Sequence, residues 1–175
     1  MIRCILYILC MVAAPATFAQ TDSADFFLQK GLQEKLAGRR LESLKNFEKA
    51  FKYNAGSRLI VAELASAYLD LRRYSPAKEN YKKLMELGDG SPDNYRQLMN
   101  LSVNLKQQDD AILYATRLKQ VEPTAKVNYI IGKVNYERDN YGDAIQYLTV
   151  AEKEEPGNAE IPYLVARSYE LQAIH

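Results

Sequence analysis

The sequence predicts an all-α fold built from antiparallel pairs of short helices, and three observations support this. Apolar residues recur at spacings of three and four along most of the chain, as amphipathic helices require. Small residues return at the same point of every second helix, at intervals of 33 or 34 residues. Beyond the first segment, no stretch alternates apolar and polar residues as a half-buried strand would.

The most regular stretch, residues 131–156, predicts two helices joined by a polar turn at 138–140. Gly132 and Ala144 are small enough to let the two helix backbones approach closely. Pro156 ends the second helix. This stretch therefore predicts one complete helical hairpin.

The rest of the chain divides into similar hairpins. Ser75-Pro76 and Ser91-Pro92 place a capping hydroxyl before a proline at the first helical position. Glycine-rich and proline-rich breaks follow at 88–90 and 156–158. The predicted helices are 24–37 with 41–53, 58–71 with 76–87, 92–105 with 109–121, 126–137 with 142–154, and a last helix from about 159.

The hairpins keep one register. Residues 77, 111 and 144 are all alanine, and we expect them to be buried where paired helices touch. The columns of the second helices are Ser43, Ala77, Ala111 and Ala144; Phe47, Tyr81, Ala115 and Leu148; and Ala50, Leu84, Leu118 and Ala151. In the first helices the column is Gly31, Ala65, Met99, Gly132 and Ala166.

This pattern resembles the tetratricopeptide repeat (TPR), a helix–turn–helix unit of about 34 residues. The resemblance covers about four and a half repeats, at about 24–57, 58–91, 92–124, 125–158 and 159–175, the last being a first helix only. It implies an α-solenoid of antiparallel helix pairs in a right-handed superhelix. The departures are Lys30, where an apolar residue is usual, and Ser102 and Asn135, where the family prefers an aromatic residue.

Residues 1–19 have the layout of a secretory signal peptide, with Arg3 before an apolar run and a small residue, Ala19, at the end. The run is shorter than the roughly 20 residues that span a bilayer. We expect cleavage after Ala19, a polar lead at 20–23, and export to the periplasm or outer membrane. The ending resembles bacterial signal sequences, notably those of the Bacteroidota. An uncleaved or lipidated anchor at Cys10 is the alternative, although bulky Leu9 precedes that cysteine.

Composition argues against several kinds of chemistry. Cys4 and Cys10 both lie in the predicted signal peptide, so the mature chain would have no disulfide and no reactive thiol. The chain has 23 basic and 22 acidic residues, and loss of Arg3 would leave it neutral, which does not favour nucleic acid as a partner. The single histidine is His175, and no glycine-rich phosphate loop is present. We expect no enzymatic activity, no metal or cofactor, and no small-molecule substrate.

In the TPR family the first helix of each pair lines a concave groove. The residues that this resemblance places in the second half of the groove are cations, an amide and tyrosines. Such a set suits an extended peptide or partner protein that carries a carboxylate or an acidic segment. The predicted binding residues are Arg96, Asn100, Tyr129, Lys133, Tyr136, Tyr163 and Arg167.

The alternative interpretation is a solvated helix face whose cations are neutralised by Glu137 and Glu170. The set also departs from the carboxylate clamp of chaperone-binding TPR proteins, because apolar Ile130 and Leu164 stand where the clamp has a second asparagine. We expect Lys78 and Lys82, on the second-helix face, to be dispensable for binding.

The sequence thus predicts an exported, non-catalytic interaction scaffold of the cell envelope. Val165, Ala166 and Tyr169 form an apolar stripe that would normally pack on another helix, so we expect either a longer protein or a covering partner. Membrane association would be indirect or through such a further domain. Two alternatives are the sensory ectodomain of a signalling enzyme and a factor for outer-membrane or pilus assembly.

Overall fold

Helices follow one another throughout the described part of the chain, with no strand among them. The structure is a computed structural model that describes residues 15–124 and 126–174, with side chains from Asp22 onward. The predicted all-α fold is confirmed. The helices are α1 (Pro15–Leu36), α2 (Arg40–Tyr53), α3 (Arg58–Asp70), α4 (Tyr74–Glu86), α5 (Pro92–Asn104), α6 (Gln108–Val121), α7 (Asn128–Glu137), α8 (Tyr141–Glu154) and α9 (Glu160–Ile174).

The start of α1 differs from the sequence prediction. This helix begins at Pro15 rather than at residue 24, so it includes the predicted polar lead at 20–23. Residues 1–14, with both cysteines and most of the predicted signal peptide, lie outside the described residues. The expected cleavage point after Ala19 falls within α1. Export stays a prediction.

The chain forms two compact units that divide between Leu87 and Gly88. In the first unit, α1 packs on α2, α3 packs on α4, and α2 joins the two hairpins through α3. The second unit repeats this arrangement with α5 to α8 and adds α9 against α7 and α8. The division falls at a predicted break, where Gly88 has a positive φ of 88°.

The turns inside the four hairpins share one backbone geometry. The N–H of the left-handed residue bonds to the carbonyl three residues back, and the next N–H bonds to the carbonyl five residues back, as Gln107 does to Ser102 at 2.9 Å. This pattern is the Schellman motif, which satisfies the last carbonyls of a helix. The left-handed residues are Gly38, Arg72, Lys106 and Asp139, with φ of 74°, 55°, 55° and 60°.

The turn geometry corrects one predicted helix start. Ser75 was expected to cap α4 ahead of Pro76, but α4 begins at Tyr74 and its N-cap residue is Arg73. Each second helix starts two residues after its left-handed residue, so the turn sets the start. Pro76 is tolerated in the first turn because N–H groups there have no partner within the helix. The prediction for Ser91 is confirmed, since its Oγ accepts from the Asn94 N–H at 3.3 Å.

The predicted close approach of paired helices is confirmed at their small residues. Ala77, Ala111 and Ala144 are at most 1% exposed. A Cβ added to Gly31 would lie 2.5 Å from the Phe47 ring, and one added to Gly132 would lie 2.7 Å from the Leu148 side chain. Small residues in the first-helix column therefore make room for large ones in the second-helix column.

Lys78 does not lie on the surface as the sequence predicted. It is only 3% exposed, whereas Lys82, one turn later in α4, is exposed. The long aliphatic stem of lysine allows such burial beside a packed column. Replacing Lys78 would disturb packing, so it cannot serve as a surface control.

Candidate functional site

The predicted binding residues all lie in the second unit, on its first helices α5, α7 and α9. A buried cluster of α8 and α9 side chains, including Leu148, Ile161 and Leu164, lies beneath them. Tyr129 and Tyr136 of α7 pack against this cluster. The core therefore fixes two of the predicted tyrosines while leaving each ring partly accessible.

Tyr129, Lys133 and Glu160 form a bonded cluster that joins α7 to α9. The Lys133 ammonium donates to Glu160 at 2.6 Å and to the Tyr129 hydroxyl at 3.2 Å. The Tyr129 hydroxyl donates to the other oxygen of Glu160 at 2.6 Å. Lys133 Nζ also lies 5.6 Å from the centre of the Tyr129 ring, within the range of a cation–π contact.

The bonds in this cluster shift the ionisation of its members. The hydrogen bond to Glu160 raises the pKa of Lys133. Hydrogen bonds from Lys133 and then Tyr129 lower the pKa of Glu160. Burial raises the pKa of the Tyr129 phenol, and its bond to Glu160 adds to the rise. All three shifts favour a protonated Lys133, an ionised Glu160 and a neutral Tyr129 phenol.

Arg167, Tyr136 and Tyr163 form the neighbouring part of the surface. Arg167 donates to Glu170 at 2.7 Å on the exposed side of α9, and this bond raises the pKa of the guanidinium. Tyr136 and Tyr163 are near enough to add to that rise. Tyr163 is 64% exposed, which leaves its ring available for contact.

Arg96 and Asn100 of α5 complete the predicted set. Arg96 donates to Asp93 at 2.7 Å and to Glu122 at 2.6 Å, so it is held by two carboxylates. Asn100 is exposed. The partners of Arg96 lie in α5 and just after the end of α6, so this arginine is not bonded to the cluster that joins α7 to α9.

The three predicted cations, Arg96, Lys133 and Arg167, are all paired within this chain. Each cation already has a carboxylate partner in this chain, so a ligand carboxylate would have to exchange with it. Sequence reasoning named Glu170 as a neutralising residue but missed Glu122 and Glu160. Glu137, also named, instead accepts from Gln108 at 3.4 Å.

Two kinds of feature are absent from the described residues, a metal-ligand group and a membrane-spanning helix. No group of histidine, cysteine, aspartate and glutamate side chains there could hold a metal ion. None of the described helices has the length and apolarity to cross a bilayer.

Solved structures similar to this chain include TPR proteins. The chain is 18% identical to MamA, with a TM-score of 0.73 over 87% of this chain and 84% of that one. It is 17% identical to YrrB, a TPR protein with an unusual peptide-binding site, with a TM-score of 0.72 over 93% of this chain and 86% of that one. The first TPR domain of Spaghetti (RPAP3), bound to the HSP90 peptide SRMEEVD, is 17% identical to this chain. Its TM-score is 0.55 over 66% of this chain and 92% of that one.

Neither a protein-family model nor a curated protein matches the sequence. The likeness therefore rests on structure, and it confirms the predicted TPR fold.

Proposed function

We propose that this chain is a non-catalytic interaction scaffold that binds an extended acidic segment of a partner protein across α7 and α9. The observation that carries the proposal is the surface where Tyr129, Tyr136 and Tyr163 lie beside Lys133 and Arg167. Tyrosine and arginine are enriched at the energetic centres of protein interfaces. Flat rings contribute contact area at a small cost in side-chain entropy.

The ion pairs on this surface are compatible with binding. The side chains of Lys133 and Glu160 are 35% and 44% exposed, and those of Arg167 and Glu170 are 46% and 63% exposed. Exposed pairs of this kind contribute about 0–1 kcal/mol each. A partner carboxylate can therefore replace Glu160 or Glu170 at small cost, and it gains strength as the interface excludes water.

Arg96 has a smaller role in this proposal than Lys133 or Arg167. Two carboxylates hold its guanidinium, and both would have to be displaced. We propose that Arg96 and Asn100 contact the edge of the bound segment. The RPAP3 domain is bound to a peptide, and YrrB has a peptide-binding site. These two TPR structures support the proposal that the partner segment binds as a peptide.

We also propose that the protein acts in the cell envelope after export. The layout of residues 1–19 supports this step. Mass spectrometry of the protein purified from its own cells tests it. A mature chain that starts at Gln20 in the envelope fraction is expected. An intact Met1 in the cytosol would refute export, and a lipid on Cys10 would replace cleavage after Ala19 with anchoring.

The binding surface is tested by a double variant and a matched control. Lys133→Ala with Arg167→Ala should weaken affinity for a partner captured from an envelope extract by at least about tenfold, with helicity unchanged. The control is Arg117→Ala with Lys153→Ala, which removes one arginine and one lysine from exposed positions of α6 and α8. Titration of the purified partner against both variants decides the question. Loss of binding in the control alone would place the interface on the second-helix face.

A further inference from the structure

A cleft opens beside Lys133, between α5, α6 and α7 of the second unit. Its volume is about 370 Å³. Ser102, Val103, Ala111, Ile130 and Val134 supply its walls. This volume is near the lower end of the range for ligand pockets, about 300–1,000 Å³. It suits one large side chain better than a whole peptide.

The fourth repeat explains why this α5–α7 cleft is open. Tyr136 and Tyr141 occupy the positions equivalent to Val103 and Gln108, and their rings meet edge to face with centres 6.0 Å apart. The Tyr141 hydroxyl donates at 2.6 Å to Asp139, the left-handed residue of that turn. In the third repeat a valine and a glutamine stand where these two rings would be. The missing volume is therefore that of aromatic side chains.

The charged groups around the cleft include one cation that can bind a carboxylate next to that side chain. Lys106, Lys133 and Glu137 line it. Lys133 is bonded to Glu160 and Glu137 to Gln108. The Lys106 side chain makes no hydrogen bond or ion pair within the described residues, and it is exposed. The cleft thus presents a cation without an ionic partner among the described residues, Lys106, at the position where the fourth repeat has the carboxylate of Asp139. Glu137, whose bond is to the neutral amide of Gln108, is an anion on the α7 side of the cleft.

We infer that the α5–α7 cleft receives an aromatic side chain of the partner, with an adjacent aspartate or glutamate bound by Lys106. This inference rests on the proposed function, because Lys133 belongs both to the cleft wall and to the surface proposed above, here called the tyrosine surface (Tyr129, Tyr136, Tyr163, Lys133 and Arg167). The partner would supply in trans what the fourth repeat supplies itself, an aromatic ring beside a carboxylate. Binding of this kind combines an apolar anchor in a pocket with a charge-assisted contact at its rim.

The fourth repeat supplies the residues for a test variant of the third repeat. Val103→Tyr, Lys106→Asp and Gln108→Tyr together copy the fourth repeat into the third and should fill the cleft with helicity and thermal stability retained. A phage-displayed library of random linear peptides is selected in parallel on the wild type and on this filled variant. We expect peptides enriched on the wild type alone to share an aromatic residue next to an acidic one.

Synthetic copies of the enriched peptides are then titrated. Exchange of the peptide's aromatic residue for alanine, and Lys106→Asp alone in the protein, should each weaken binding by about tenfold. The single Lys106→Asp variant keeps the test valid if the filled variant does not fold.

The outcomes separate this inference from the proposed function. Peptides that bind the filled variant and wild type equally, but not Lys133→Ala with Arg167→Ala, would overturn the cleft and leave the tyrosine surface standing. Peptides selective for the open cleft that lack an aromatic or an acidic residue would also overturn the inference. If no peptide is enriched on the wild type, both the inference and the proposed function fail.

Discussion

Gly132 of α7 lies directly against Leu148 of α8. A methyl group at position 132 would come within 2.7 Å of the Cγ of Leu148 and 3.0 Å of its backbone nitrogen. The backbone atom cannot rotate away as a side chain can, so the helices would have to separate. The close packing of this hairpin therefore depends on the absence of a side chain at Gly132.

Gly132→Ala should lower the free energy of unfolding, because overpacking costs about 1–3 kcal/mol. This cost outweighs the gain in helix propensity of up to about 1 kcal/mol. Urea unfolding followed by circular dichroism measures the change. The control is Gly142→Ala in α8, where the nearest atom to an added Cβ is 3.5 Å away. That control should be neutral or slightly stabilising, and equal losses in both variants would contradict the close approach.

Ala144→Leu should destabilise the second unit by about 1–3 kcal/mol, because Ala144 is fully buried between α7 and α8. Ala111→Leu should cost less, although Ala111 is the equivalent residue and is also buried. The reason is that Ala111 lines the α5–α7 cleft, which can accept part of the larger side chain. Thermal unfolding of the two variants tests this difference. A larger loss for Ala111→Leu would argue against an open cleft.

Glu160 should make stability depend on pH. Its pKa is lowered in the folded chain by bonds from Lys133 and Tyr129, so its contribution is present above its ordinary pKa of 4.5 and is lost as pH falls through the folded value. The contribution of Lys133, whose pKa is raised, persists until alkaline pH. At pH 7, Glu160→Gln should cost less than about 1 kcal/mol, because the pair is exposed. The difference from wild type should shrink as pH falls from 7 to 3, towards and through the lowered pKa of Glu160.

The matched control for this pH effect is Glu152→Gln, at an exposed position of α8. Urea midpoints of the three proteins at pH 7 and pH 3 provide the measurement. Glu152→Gln should leave the midpoint nearly unchanged at both values. A pH-independent loss in Glu160→Gln would mean that the side chain acts by packing rather than by charge.

The fold could be predicted from the sequence because its packing repeats. Ala77, Ala111 and Ala144 recur in register, and each recurrence adds the same constraint on how two helices meet. The start of α4 could not be predicted as well, since local capping at Ser75 competes with a turn geometry that begins at Arg72. The burial of Lys78 was also missed, because residue type alone does not say where an aliphatic stem will lie.

The candidate site could be predicted only in part. The register placed Lys133, Tyr129 and Arg167 on first helices, but it gave no information on their ionic partners. Glu160 lies 27 residues beyond Lys133, and the pairing depends on how α9 meets α7. Such pairs follow no periodic pattern, so they are found only from coordinates. The sequence did carry a signal for the cleft, since Val103 and Gln108 stand where the fourth repeat has Tyr136 and Tyr141.

The same two main-chain hydrogen bonds close all four hairpin turns, and neither involves the side chain at the left-handed position. The four left-handed residues share one backbone geometry but differ in side chain. Gly38 has none, Arg72 and Lys106 carry cations, and Asp139 carries a carboxylate. A left-handed conformation costs most residues other than glycine about 1–2 kcal/mol, and aspartate adopts it more readily than arginine or lysine. The charge displayed at each hairpin turn can therefore differ while the backbone of the turn stays the same.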